Sequence, residues 1–178
     1  MSTSDGDRSK DAIAIYQGLL DLMGRAITHR DFDAYSAYVA LPHYIETEGS
    51  ALMIETRDQL SAVFNDICDR LARIDIDGLT RHCLSATFTA PDQITGTHIT
   101  WQVTRSNAIQ ESYKVHSVLT RGAGIWQVAS GTYTGDTDTL PCSMSRSLRE
   151  VGARPVPTRQ HPCTGQPGPS SGPKASDR

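Results

Sequence analysis

The chain has 178 residues, of which 38% are hydrophobic and 21% charged, a composition typical of a soluble globular protein. Its formal net charge of −3 is unevenly distributed along the chain. The segment after Leu140 carries a net charge of +4, and the residues before it carry −7. An acidic body excludes the usual nucleic-acid-binding domain, which needs clustered Lys and Arg. No apolar run is long enough to cross a bilayer, and the N-terminus lacks the apolar core of a secretory signal, so we expect a cytoplasmic protein without membrane contact.

The N-terminal third predicts a pair of helices. A helix from near Ser9 to about Thr28 follows from apolar residues at helical spacing, namely Tyr16, Leu19, Leu20, Met23 and Ile27. Asp31 is placed to cap a second, shorter helix, and Pro42 prevents that helix from continuing.

A short hairpin and a third helix come next. The segments HYIET and ALMIE flank Gly49-Ser50, which is the composition of two strands joined by a tight turn. Thr56 and Gln59 then have the spacing of a capping box ahead of an amphipathic helix that ends near Arg73.

After Gly78 the hydrophobic period changes from helical to two. Segments 79–89, 94–105, 109–121 and 125–134 predict four consecutive antiparallel strands separated by hairpin turns. Past Thr134 the chain is rich in Pro, Gly and Ser, and it cannot bury enough apolar area to offset its conformational entropy. The pattern therefore predicts a flexible segment over 1–9, one α+β domain over 10–135 in which three helices pack on a curved antiparallel sheet, and a disordered tail over 136–178.

The turn positions suggest a register for the four strands. Pairing residue 90 with 93, 105 with 109 and 121 with 124 places four polar-tipped side chains in one transverse layer on the core-facing side: His82, Trp101, Tyr113 and Thr132. Three helices on a bent sheet leave a gap at one end, and we expect this layer to line a pocket there. A layer of aromatic residues with a hydrogen-bonded His that simply fills the interior is the alternative.

Three further residues complete the candidate site. Tyr16 on the first helix faces the same interior and can donate a hydrogen bond to a ligand. His43 and Glu46 fall on opposite faces of the hairpin, and His43 shares its face with apolar Ile45, which favours His43 as the inward residue. In a catalytic interpretation His82 acts as general acid or base, Tyr113 donates to a developing oxyanion, and Glu46 is a base if it is desolvated.

His98 and His116 come out as cross-strand neighbours on the outer face in this register. We interpret them as part of a surface or dimer interface, because no third metal ligand lies nearby and Lys114 would repel a cation. None of the four cysteines forms a CxxC pair. We therefore expect no metal and no cofactor.

The order of helix, helix, hairpin, helix and four-stranded meander resembles the nuclear transport factor 2-like superfamily, and within it the SnoaL-like small proteins. The resemblance is carried by AIYQGLLDLMGRAITHRDFDAYSAYV, HYIETEGSALMIETRDQL and GIWQVASGTY. It implies a cone-shaped α+β domain with a cavity, often a dimer through the outer sheet face. The leading hypothesis is a small-molecule-binding protein for an apolar or aromatic ligand. The alternatives are a cofactor-independent isomerase, dehydratase or cyclase acting on a small apolar or polyketide-like substrate, and a non-catalytic interaction module.

Overall fold

The computed structural model describes residues 5–47, 50–106, 108–134 and 154–155. Its elements in chain order are α1 (Asp5–Thr28), α2 (Phe32–Ala37), β1 (Val39–Thr47), β2 (Ser50–Ile54), α3 (Arg57–Arg73), β3 (Ile76–Ala90), β4 (Gln93–Thr104), β5 (Ile109–Gly122), β6 (Ile125–Thr134) and the two-residue β7 (Arg154–Pro155). Within these residues, no helix combines the length and the apolar character that crossing a membrane requires. Apart from β7, the predicted tail lies outside the described residues, as do residues 1–4 of the predicted N-terminal segment. Residues 5–9 of that segment belong to α1.

Local signals in the sequence set the helix positions. The Asp31 side chain accepts a hydrogen bond from the Ala34 amide at 2.9 Å and caps α2. At α3, Thr56 Oγ1 accepts from the Gln59 amide at 3.2 Å and Gln59 Oε1 accepts from the Thr56 amide at 3.3 Å, which completes the predicted capping box. The apolar stripe of α1 is buried as its spacing predicts.

The sheet is mostly antiparallel, with strand order β3-β4-β5-β6-β1-β2-β7 in the described residues. The predicted meander is β3 to β6, and the predicted hairpin is β1 with β2. The hairpin joins the meander through β1 and β6, which run parallel, so the sheet is mixed but mostly antiparallel. Its inner face packs against the three helices, and the core lies between these layers.

The predicted register is wrong because several residues bulge out of the ladder. On β3 the pairing with β4 shifts between Phe88 and Ala90 and again between Cys83 and Ser85. Between β4 and β5, Gln102 pairs with Glu111, one residue away from the predicted alignment. Each extra residue reverses the faces of everything beyond it.

The largest consequence falls on β4. Its inner face carries the even-numbered residues, all buried: Ile94, Gly96, His98, Thr100 and Gln102. The odd-numbered residues that the sequence places inside, among them Ile99 and Trp101, are half-buried on the outer face.

Candidate functional site: a cavity between α1 and the sheet

A cavity of about 60 Å³, partly open to solvent, lies between α1 and the inner face of the sheet. On the helical side its wall is mainly apolar, from Leu19, Leu20 and Met23 of α1, with Tyr16 and Tyr35 supplying phenol groups. On the sheet side the wall combines polar and apolar groups: His43, Arg81, His98, Thr100, Tyr113, Val115, Ser117, Leu119, Val128, Gly131 and Tyr133. The cavity thus has one mainly apolar wall and one wall rich in hydrogen-bonding groups.

The sheet wall is ordered in cross-strand rows. The register gives three of them in succession: Arg81 with Thr100 and Tyr113, then Cys83 with His98, Val115 and Tyr133, then Ala86 with Gly96, Ser117 and Gly131. The last row consists of small residues. The ring of Tyr16 occupies the space above it, because a Cβ at Gly96 would lie only 2.6 Å from Tyr16 Cε2 and 2.8 Å from the Ser85 carbonyl oxygen.

Tyr16 and His98 form the central polar contact of the cavity. The Tyr16 hydroxyl lies 2.9 Å from His98 Nδ1 and 3.3 Å from the carbonyl oxygen of Gly96, and it also hydrogen-bonds to Ser117. The hydroxyl has one proton, so it donates either to the Gly96 carbonyl or to His98 Nδ1, and the imidazole takes the complementary tautomer. Helix α1 and strand β4 are thereby joined through buried polar groups.

Both imidazoles in the cavity wall are held neutral. Burial lowers the pKa of His98 to about 3, and the positive charge of Arg81 acts in the same direction. Burial likewise lowers the pKa of His43 to about 4, although its hydrogen bonds to backbone carbonyls favour the protonated form. His43 Nδ1 lies 3.2 Å from the Val128 carbonyl oxygen, which can only accept, so Nδ1 is the donor in this hydrogen bond.

Three tyrosines of the wall are also neutral. Burial raises the pKa of Tyr16, Tyr35 and Tyr133 above the usual range of a phenol. Tyr113 and Tyr133 stand side by side, with ring centroids 6.1 Å apart. At neutral pH these groups act as hydrogen-bond donors and acceptors without charge.

Arg81 is the one charged side chain among the described residues of the wall. Its Nε atom is buried and has no hydrogen-bond partner within the described part of the chain, and no described carboxylate forms an ion pair with it. Its backbone carbonyl is held by Gln17 of α1, whose Nε2 donates to it at 3.0 Å. The other amide atom of Gln17 accepts from the Cys83 amide at 2.8 Å, so α1 anchors this stretch of β3.

No protein-family model and no curated protein matches the sequence. Solved structures do match. A nuclear transport factor 2-like protein from Shewanella oneidensis MR-1 is 10% identical over 68% of this chain and 98% of its own, with a TM-score of 0.55. A nuclear transport factor 2-like protein with a cystatin-like fold from Novosphingobium aromaticivorans is 13% identical over 78% and 88%, with a TM-score of 0.53. ActVI-ORFA from Streptomyces coelicolor is 23% identical over 69% and 96%, with a TM-score of 0.52.

The chain has the nuclear transport factor 2-like fold. At the level of the fold, this confirms the resemblance seen in the sequence. At these identities the likeness carries no residue roles, so the site is argued from its own geometry.

Of the side chains that the sequence places around the pocket of this nuclear transport factor 2-like cone, Tyr16, His43 and Tyr113 lie in the cavity wall. His82 does not, because the shift between Cys83 and Ser85 turns it to the outer face, where it is exposed. Trp101 is also on the outer face, opposite Thr80 and Ser112.

Thr132 and Glu46 face away from the cavity as well. They are partners in the parallel β1–β6 ladder, and the Thr132 hydroxyl donates to Glu46 Oε2 at 3.3 Å. The β5–β6 pairing shifts between Val118 and Leu119, which exchanges Thr132 for its neighbours Gly131 and Tyr133 on the inner face. The proposed catalytic set of His82, Tyr113 and Glu46 is therefore not brought together.

The predicted outer pair of His98 and His116 is separated by the sheet. His98 is buried in the cavity wall, whereas His116 is exposed on the other face, with Nδ1 3.1 Å from Thr97 Oγ1. The two residues are not direct partners, because His116 pairs with Thr97. Among the described residues no group of three or more His, Cys, Asp or Glu side chains is arranged to hold a metal ion.

Sequence reasoning missed Arg81, His98, Thr100, Ser117 and Tyr133 as cavity residues. The hydrophobic alternation on β4 was misleading, because the larger apolar side chains Ile99 and Trp101 lie on the outer face. One usable signal was Gly96, since a glycine inside a strand often marks the close approach of another group. That group is the Tyr16 ring.

Proposed function

We propose that this protein binds a small organic ligand whose polar end enters the cavity and contacts the polar groups of the sheet wall. The observation that supports the proposal is the convergence of hydrogen-bonding side chains on a space that the core does not fill. A wall of this kind fixes the orientation of a ligand, while the apolar α1 side provides nonspecific affinity.

The cavity volume limits what enters. Ligand pockets usually measure roughly 300 to 1,000 Å³. The 60 Å³ cavity has room for a small polar group, and the opening to solvent lets the remainder of a ligand extend outward. We therefore propose a ligand with a compact polar head and an apolar or aromatic body.

A pair of matched valine substitutions tests this proposal. Val115 lines the cavity, whereas Val118 lies on the same strand and faces outward. Val115→Met fills much of the space, so it will abolish binding, and Val118→Met will leave binding intact. Native mass spectrometry of the purified protein and NMR screening of small organic fragments report the binding. If no fragment binds the wild-type protein, or if Val115→Met binds fragments equally well, the proposal is wrong.

A cofactor-independent isomerase, dehydratase or cyclase is the alternative function. In this structure its general base would come from the buried imidazoles His43 and His98, and His98 shares a hydrogen bond of 2.9 Å with Tyr16. A general base works best when its pKa is near the working pH, but burial lowers the pKa of His98 to about 3. The pair is better suited to holding a polar group than to removing a proton, so we favour binding over catalysis.

We also propose that the protein is a homodimer in the cytoplasm. Half-buried apolar side chains on the outer sheet face, Ile99, Trp101 and Val118, support association through that face, with His116 beside them. The buried, unpaired thiols of Cys68 and Cys83 support a reducing compartment. Light scattering coupled to gel filtration will report a dimer mass that Trp101→Lys reduces. An unchanged mass for that variant, or a monomeric wild type, refutes the dimer through this face.

A further inference from the structure

Arg81 presents to the cavity a positive charge that no described carboxylate balances. The residue is only partly exposed, its Nε is buried without a hydrogen-bond partner among the described residues, and none of the described lining residues is Asp or Glu. A buried donor that lacks a partner costs free energy, and the cost is larger for a charged group. A bound acceptor at this place would remove that cost.

The charge acts throughout the cavity. It contributes to the pKa shift of His98, and it opposes the rise in pKa of Tyr16, Tyr35 and Tyr133. These groups come from α1, α2, β4 and β6, so the guanidinium influences both the helical side and the sheet side of the cavity. The neutral imidazoles and phenols do not neutralise it. The interior therefore has a positive potential, which favours an anion.

The neighbours of Arg81 are suited to the same anion. Thr100, its direct cross-strand partner, is buried and carries a hydroxyl, and Tyr113 follows in the same row. Hydroxyl groups donate to an anionic oxygen without adding charge. The row thus offers a planar guanidinium beside neutral donors.

From this arrangement we propose that Arg81 recognises a carboxylate on the ligand. The inference rests on the proposed binding function and names the chemical class of the ligand head. A guanidinium matches the planar geometry of a carboxylate and can hold both oxygens. A phosphate carries more charge than the single cation of the described wall can balance, whereas a carboxylate carries one charge and is small enough for the cavity.

Two acid and amide pairs test the inference on the wild-type protein. Acetate is compared with acetamide, and benzoate with benzamide, by NMR titration at low ionic strength, with inorganic phosphate as a further probe. Each amide has the shape of its acid but no charge. The acids will bind at least about tenfold more tightly than the amides, because a charged hydrogen bond is lost with the amide.

Variants at Arg81 locate the effect. Arg81→Gln will weaken binding of the acids about tenfold or more and leave binding of the amides unchanged. Arg81→Lys keeps the positive charge but not the paired N–H donors of the guanidinium, so it will retain part of the affinity for the acids. Arg25→Gln, on the exposed side of α1, is the control for loss of a surface charge. Circular dichroism confirms that each variant is folded.

The outcomes separate this inference from the proposed function. If amides and acids bind equally and Val115→Met abolishes both, the cavity binds ligands but the carboxylate inference is wrong. If phosphate binds more tightly than the acids, the inference is also wrong. If no probe binds, both are refuted. Loss of acid binding alone in Arg81→Gln supports both.

Discussion

Acidification will destabilise the fold through His43 and His98. Both imidazoles are buried, which lowers the pKa of His43 to about 4 and that of His98 to about 3. In the unfolded chain a histidine titrates near pH 6.5. Between these values the unfolded state binds protons that the native state does not, so the stability is fully present above about pH 6.5 and is lost as the pH falls toward the native pKa values.

The size of the effect follows from these values. At pH 5.5 an unfolded histidine is about nine-tenths protonated, and each native imidazole remains neutral. This difference lowers the free energy of unfolding by about 1.4 kcal/mol per histidine relative to pH 8, or about 2.8 kcal/mol for the two together.

Urea denaturation at pH 8 and at pH 5.5, followed by circular dichroism, measures the loss. Asn keeps a polar atom at the position of Nδ1 but does not titrate, so His43→Asn and His98→Asn will each remove about half of the pH-dependent part. His82→Asn, which removes an exposed imidazole, is the control and will retain the full dependence. If the double variant with both His43→Asn and His98→Asn loses as much stability on acidification as the wild type, the two imidazoles do not cause the pH dependence. The imidazoles of the cavity wall are then not held neutral by burial.

Two further substitutions test the packing around the cavity. Gly96→Ala places a methyl group 2.6 Å from the Tyr16 ring and will lower the free energy of unfolding, measured by urea denaturation, by about 1 to 3 kcal/mol. The control Gly18→Ala has open space around its Cβ position and will raise the free energy of unfolding slightly. Equal effects of the two substitutions would contradict the close packing of Gly96 against Tyr16. Gln102→Leu will raise the free energy of unfolding by about 1 kcal/mol, because the buried Gln102 amide has no hydrogen-bond partner in the described residues. A lower free energy of unfolding in this variant would show that the amide does have a hydrogen-bond partner.

The helices of this protein could be predicted from sequence because their signals are local. Asp31 and Thr56 cap within three residues of themselves, and the α1 stripe depends only on helical spacing. Which strands are neighbours in the meander also follows from turn residues. The parallel contact of β1 with β6 did not, since it joins segments more than eighty residues apart in the chain and leaves no local pattern.

The sequence did not show which residues of the meander strands face the interior. For this reason several of the predicted site residues lie on the opposite face of the sheet. A bulge adds one residue to a strand without a required sequence marker, so the alternation that assigns faces fails beyond it. For this reason His82 and His98 exchanged their expected sides. The inward faces of α1 and of the short hairpin could be predicted from local patterns. Tyr16 and His43 accordingly lie in the cavity wall, as their patterns indicate.

The bulge between Cys83 and Ser85 has a consequence for how the cavity responds to its surroundings. With uninterrupted alternation, the interior would receive His82, a residue type whose charge changes near physiological pH. The bulge instead directs Arg81 inward, and a guanidinium keeps its charge at every pH at which a protein is folded. A single additional residue in β3 therefore makes the attraction for an anionic ligand constant over the physiological pH range.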